Sequence, residues 1–200
     1  MTGASLSTGV LLILGFANLF ADGVSMAFGD FLSTRAENEY HEAERRREEW
    51  EMDNYPEGEK KEMAEIYIQR GLSKGNAERV VELLSKNKKT FVDIMMLEEL
   101  GIVESDESPL KNAFVTLFSF ILFGFIPLLT YVIGHFSAAA ADNEFIVATT
   151  LTGMALFTLG ALKVKVTEKN VVISGIEMLV LGGVAAGIAY GIGYSLAGLA

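Results

Sequence analysis

The sequence predicts an all-α membrane protein, with four transmembrane helices and a polar helical domain inserted after the first. Three observations carry this. Four stretches, roughly 9–30, 112–134, 145–162 and 171–197, are apolar and free of Lys and Arg. Each is near the ~20 residues a helix needs to cross the hydrocarbon core. Half of the residues are apolar, and the mean hydropathy of +0.34 is high for a soluble domain. Finally, thirteen of the 16 Lys and Arg lie in 31–111, and the other three, Lys163, Lys165 and Lys169, follow the third stretch. The N-terminal tip, the 135–144 loop and the C-terminus have none. The positive-inside rule places 31–111 and 163–170 in the cytosol and both termini on the far side. The expected organisation is a first transmembrane helix within 1–34, a cytosolic helical domain over 35–108 and a three-helix membrane region over 109–200.

The first span is GVLLILGFANLFADGVSMAFGDF. No basic residue precedes it and the positive flank follows it, which suits a helix inserted N-terminus outward rather than a signal peptide. Asn18, Asp22, Met26 and Asp30 are spaced four apart, so they share one slowly drifting stripe. A carboxylate at the depth of Asp22 is costly in lipid and should face protein, water or an ion.

Residues 32–53 lack Gly and Pro and are rich in Glu, Arg and Ala, so the helix should continue beyond the membrane. Glu44, Glu48 and Glu51 share a face; Arg45, Arg46 and Arg47 are expected to neutralise the others. Pro56 and Gly58 break this helix. A second helix is expected over about 59–70, with Met63, Ile66 and Tyr67 as its apolar stripe and Gly71 at its end. Ser73 can cap a third helix that buries Val80, Val81, Leu83 and Leu84. Thr90 can cap a fourth, which carries Phe91, Ile94 and Met95.

The chain then returns to the membrane through an aromatic span containing Pro127. His135, Asp142 and Glu144 fall in the following loop, with His135 at the interface. In the last span Gly183, Gly187 and Gly191 form a small-residue ridge suited to close helix packing. Glu177, near the cytosolic end, is expected to snorkel to the interface or to pair with Lys163 or Lys165.

Composition narrows the chemistry. The absence of cysteine excludes disulfides, iron–sulfur clusters and thiolate zinc sites. The spans hold no Ser/His pair, and the chain has neither an HExxH motif nor a phosphate loop, so nothing points to an enzyme. Residues 31–110 carry twenty Asp/Glu against twelve Lys/Arg, so most of the net charge of −10 sits there. Such a domain repels nucleic acid and anionic lipid and attracts cations.

Three groups offer metal ligands. They are the stripe of Asn18, Asp22 and Met26; the carboxylates Glu48, Glu51, Glu59 and Glu62; and Glu99 with the thioethers of Met95 and Met96. Two helices joined by a tight turn can bring i, i+3 carboxylates together from both sides. Oxygen donors suit Fe²⁺, Mn²⁺, Co²⁺ and Zn²⁺, and methionine adds softer character. The same Glu spacing also occurs on any solvated helix face, so spacing alone leaves both readings open.

Four segments in order, ANLFADGVSMAFGDFLS, STRAENEYHEAERRREEWE, FVDIMMLEELGI and FGFIPLLTYVIG, make the chain resemble the vacuolar iron transporter family. The resemblance covers essentially all 200 residues. It implies five transmembrane helices with a cytosolic metal-binding domain between the second and third. It also implies a homodimer in the lipid bilayer that moves Fe²⁺, and secondarily Mn²⁺, from the cytosol into a vacuole or similar store in exchange for protons. A vacuolar or other endomembrane location follows, or the plasma membrane for a bacterial chain, with no prosthetic group. By motif, the family's metal ligands fall on Glu48, Glu51, Glu59, Glu62, Glu99, Met95 and Met96, and its pore methionine on Met26. The family's pathway glutamate falls on Asn18, and Asp22, one turn later, is expected to replace it. By the same resemblance, MTGASLST is similar to the turn after the family's first helix, so a counterpart of that helix is not expected within these residues. That departure supports a second reading, a membrane-anchored metal buffer or regulatory form without transport.

The charge asymmetry gives a test of topology. A tag at Ser85 is expected to be digested by protease added to sealed vesicles whose cytosolic face is outward, and a tag near Ala200 to be protected. Protection of the Ser85 tag would end the assignment.

Overall fold

The computed structural model describes residues 7–103, 107–136 and 144–197, with the side chains of 135, 136, 144 and 166 excepted. Seven α-helices and no strand occur among the described residues: α1 (Thr8–Asn54), α2 (Pro56–Gln69), α3 (Lys74–Leu84), α4 (Lys88–Glu98), α5 (Pro109–Phe136), α6 (Glu144–Thr167) and α7 (Val171–Ser195). Asp142 and the side chains of His135 and Glu144 lie outside the described residues. The helices α1, α5, α6 and α7 are long and apolar enough to cross a membrane, and the chain is a multi-pass membrane protein. The chain divides into two compact units: Met1–Phe28 with Ala113–Ala200, and Gly29–Asn112.

Helix α1 is continuous over 47 residues. No proline falls inside it, and the stretch after the apolar part is built of strong helix formers, so no backbone group is lost along the way. In the first unit, α1 and α5 meet along a stripe of α1 residues spaced four apart. Leu11, Leu19 and Ala27 are buried there. Gly15 and Gly23, between them, admit Leu128 and Phe120 of α5, and Gly124 of α5 admits Leu19. A smaller core joins Leu11, Tyr131 and Ala148 from α1, α5 and α6. Large apolar side chains such as Ile13, Phe28, Phe118 and Ile188 stay exposed, as lipid-facing positions must.

Helices α6 and α7 approach even more closely. A Cβ added at Gly160 would lie 2.8 Å from the Gly175 Cα and nearer still to the Ser174 carbonyl oxygen. Gly175 and Gly182 receive Phe157 and Leu156. The expected ridge of Gly183, Gly187 and Gly191 plays no part in this packing, and a Cβ at any of the three would meet nothing within 4 Å. Close approach is decided by which α7 face meets α6, and that face is carried by Gly175 and Gly182. Lys163 pairs with Glu177 at 3.5 Å, as expected.

In the second unit, α2, α3 and α4 pack around Met63, Ala64, Ala77, Val81, Phe91 and Met95. Pro56 starts α2 rather than merely ending α1, since its missing N–H costs nothing in a first turn. Gly58 lies inside α2. Gly71, at φ +104°, ends that helix, as expected, and the Leu72 N–H donates back to the Tyr67 carbonyl at 3.1 Å. Ser73 occupies the cap of α3 without a side-chain hydrogen bond. Within α3, Ala77 and Val81 are buried and Leu83 is exposed, so the apolar face is rotated from the expected one. The cap of α4 is Asn87, not Thr90: the Asn87 side chain accepts from the Thr90 N–H at 3.1 Å. Thr90 is the third residue of the helix, where a backbone N–H needs the cap that Asn87 supplies.

The α6–α7 contact yields a clear contrast. Gly160→Ala is expected to cost about 1–3 kcal/mol, because the added methyl meets backbone that cannot swing away. Gly187→Ala, facing open space, should be near neutral. Thermal unfolding of both variants in detergent measures the difference; equal stability would mean the close approach is not rigid.

Candidate metal centre

Three elements of the second unit build one acidic site. Helix α1 contributes Glu48 and Glu51, which share a face by their i, i+3 spacing. The chain turns at Tyr55 and enters α2 directly, so Glu59 and Glu62 in its first turns come back toward them. Glu99 arrives at the C-terminal cap of α4. Gly101, at φ +67°, then reverses the chain, and the Ile102 N–H donates to the Met96 carbonyl at 2.8 Å.

One carboxylate oxygen each from Glu48, Glu51 and Glu59 lies within 4.8 Å of the others, and the same is true of Glu59, Glu62 and Glu99. Glu59 belongs to both triads. All five carboxylates singled out in the sequence are therefore brought together. Met95 and Met96 are buried nearby in sequence, one turn before Glu99. Met95 packs with Met63, Ala77 and Phe91, and Met96 with Val92 and Ile102.

Burial makes this arrangement electrostatically demanding. The Glu48 side chain is 0% exposed, and its Oε2 has no hydrogen-bond partner. Two unit charges about 5 Å apart repel by roughly 3 kcal/mol at an effective dielectric near 20. A fully ionised triad would then cost about 10 kcal/mol, comparable to the whole stability of a domain. Protons relieve part of this. Burial, then the charges of Glu51, Glu48 and Glu62, raise Glu59 to about 7. Burial, then Glu48, Glu62, Glu59 and Glu51, raise Glu99 to about 7. Glu48 is raised as well, by burial first and Glu51 second, with Arg47 opposing.

Arg47 is the residue that sequence reasoning misplaced. It was expected to neutralise other faces of α1, yet its guanidinium lies among the cluster carboxylates. Nη1 is 2.9 Å from Glu44 Oε2, Nη2 is 3.4 Å from Glu48 Oε1, and Nε is 3.9 Å from Glu51 Oε1. The signal was present as Glu44–Arg47 at i, i+3 and Arg47–Glu51 at i, i+4. Arg45 pairs instead with Asp93 of α4, and Arg46 with Glu42 at 3.7 Å.

The intramembrane stripe sits elsewhere, in the first unit. Asn18, Asp22 and Met26 precede the buried Leu19, Gly23 and Ala27 by one residue each, so they lie to one side of the α5-packed face. All three are exposed, with Met26 at 49%. The structure leaves this stripe open along α1.

A protein-family model described as the VIT family matches residues 1–194. A protein named vacuolar iron transporter from Toxoplasma gondii (strain ATCC 50861 / VEG) is 42% identical over 198 residues, covering 96% of this chain and 65% of its own length. One of the same name from Plasmodium falciparum (isolate 3D7) is 35% identical over 192 residues, covering 93% of this chain and 70% of its own. Vacuolar iron transporter 1 of Arabidopsis thaliana is 33% identical over 192 residues, covering 95% and 75%. The chain thus spans somewhat less than two thirds of the Toxoplasma relative.

The raised carboxyl groups set a pH dependence. Between the ordinary glutamate value of 4.5 and about 7, the folded chain holds protons on Glu59 and Glu99 that the unfolded chain has lost. Their contribution to stability is complete below 4.5 and disappears as the pH rises through about 7. The metal-free chain should therefore melt at progressively lower temperature from about pH 5 to about pH 8, and the slope should flatten in Glu59→Gln/Glu99→Gln. Divalent cation should reverse the loss and release protons on binding at neutral pH. Melting curves in chelator and in Mn²⁺ across this range check the sign; a metal-free chain that gains stability with pH would overturn it.

Proposed function

This chain belongs to the VIT family, and on that premise we propose that it transports divalent iron across a membrane, with Mn²⁺ as a second cargo. The observation that carries the reading is the pair of carboxylate triads sharing Glu59 around the buried, partly unpartnered Glu48. Crowded carboxylates held in place by three helices need cations, and a shared carboxylate suits two ions bridged through it. Oxygen donors of this kind take Fe²⁺ and Mn²⁺ readily, and Met95 and Met96, one turn before Glu99, would supply softer ligands. Zn²⁺ and Co²⁺ fit the same donors.

In this reading the domain is cytosolic and collects metal, and the Asn18, Asp22 and Met26 stripe forms part of the path through the membrane. A stripe bearing Asn and Asp is poorly matched to lipid, and a second copy of the chain facing it across a homodimer would cover it. The Met26 thioether adds a ligand without adding charge, so an ion can pass without being trapped. Protons moving the opposite way would protonate carboxylates and release metal. The names of the relatives support delivery into a vacuole-like store.

Uptake of Fe²⁺ into proteoliposomes containing a pH dye tests the reading. Metal entry with opposite proton movement supports proton-coupled transport. Metal binding without flux would favour the membrane-anchored buffer. In a transporting preparation, Met26→Leu, which keeps volume and apolar character, should slow Fe²⁺ movement several-fold while the melting temperature holds. Asp22→Asn should weaken the proton coupling. Parental flux and coupling in both variants would move the pathway off this stripe.

A further inference from the structure

The cluster contains its own competing cation. Arg47 faces three carboxylates at once, and two of the oxygens it faces, Glu48 Oε1 at 3.4 Å and Glu51 Oε1 at 3.9 Å, belong to side chains of the first triad. Its shortest pairing, 2.9 Å, is to Glu44, which lies outside both triads. A guanidinium never loses its charge in this range, so it cannot step aside by deprotonation. It can step aside by moving, because its side chain is 49% exposed and ends a flexible stem. Glu44 offers it a place to stay while the other two carboxylates are released.

We propose that Arg47 is a tethered counter-cation that neutralises Glu48 and Glu51 in the metal-free chain and is displaced from them by a bound divalent ion. The inference rests on the cluster being the metal site. It assigns Arg47 two effects that pull in opposite directions. Before metal arrives, the guanidinium lowers the repulsion around the buried Glu48 through pairings made within α1 itself. When metal binds, breaking the Arg47 contacts subtracts from the affinity. A site relieved by its own cation binds cargo more weakly and lets it go more readily, which suits a relay better than a store.

The test uses the full chain in detergent and Mn²⁺ as the probe. Arg47→Gln is expected to bind Mn²⁺ about five- to tenfold more tightly by calorimetry, while its metal-free form melts at lower temperature. Arg46→Gln removes the same charge from the neighbouring position, where the guanidinium pairs with Glu42 at 3.7 Å, and should change affinity less than twofold; a gain equal to that of Arg47→Gln would reduce the effect to net charge and overturn the proposal. An affinity in Arg47→Gln equal to or weaker than parental would also overturn it. Should that variant not fold, the parental chain still decides the matter. Dicarbonyl modification of Arg47, followed by peptide mass spectrometry, should run several-fold faster in saturating Mn²⁺ than in chelator, and an unchanged or slower rate rejects displacement. Absence of Mn²⁺ binding in the parental chain would overturn the cluster itself and this inference with it, whereas parental binding with unmoved Arg47 readouts overturns this inference alone.

Discussion

Repulsion among carboxylates that the fold will not let separate is the constraint on which the second unit depends. Glu48, Glu51, Glu59, Glu62 and Glu99 are delivered by α1, α2 and α4; α2 and α4 are committed to the core through Met63, Phe91 and Met95, and α1 packs against it through Met52. The carboxylates cannot spread without dismantling that packing. Three kinds of positive charge can relieve them: protons, a guanidinium and metal ions. The raised values of Glu59 and Glu99 reflect the first, Arg47 supplies the second, and the geometry of the triads invites the third.

The relief is graded. A proton cancels one charge on one oxygen. Arg47 spreads one charge over three carboxylates at unequal distances, close to Glu44 and looser at Glu48 and Glu51. A divalent ion brings two charges to a point and can sit between three oxygens. On the proposed reading, the order of increasing neutralisation is also an order of exchange, in which metal would displace both protons and arginine. Under the proposed function, such a site would respond to pH and to metal through the same groups, as proton-coupled movement of cations would require.

The first unit is governed by a different rule, because within lipid there is little hydrophobic gain in bringing helices together and close packing must supply it. Glycines serve this at Gly15, Gly23 and Gly124 between α1 and α5, and at Gly160, Gly175 and Gly182 between α6 and α7. Where glycines face nothing, as at Gly183, Gly187 and Gly191, the surface is left smooth and open. The polar stripe of Asn18, Asp22 and Met26 is likewise open beside a packed face of the same helix.

Hydropathy and charge asymmetry along the chain were sufficient to identify four membrane-length helices, because long apolar runs have no alternative use in water. Unbroken helix formers after the first span made the length of α1 readable, and Gly71 marked the end of α2 because few other residues accept a positive φ. The spacing of Glu48, Glu51, Glu59 and Glu62 showed that they could share faces, since periodicity is local. What periodicity could not supply was which faces meet. Only the tertiary structure decided that Glu59 joins both triads, that Ala77 rather than Leu83 is buried, and that Gly175 and Gly182 rather than the more regular glycine ridge receive α6. Arg47 was misplaced for a different reason: a long side chain is free to lean toward either flank of its helix, and its partners Glu44, Glu48 and Glu51 all lie on α1, so local spacing already carried the signal.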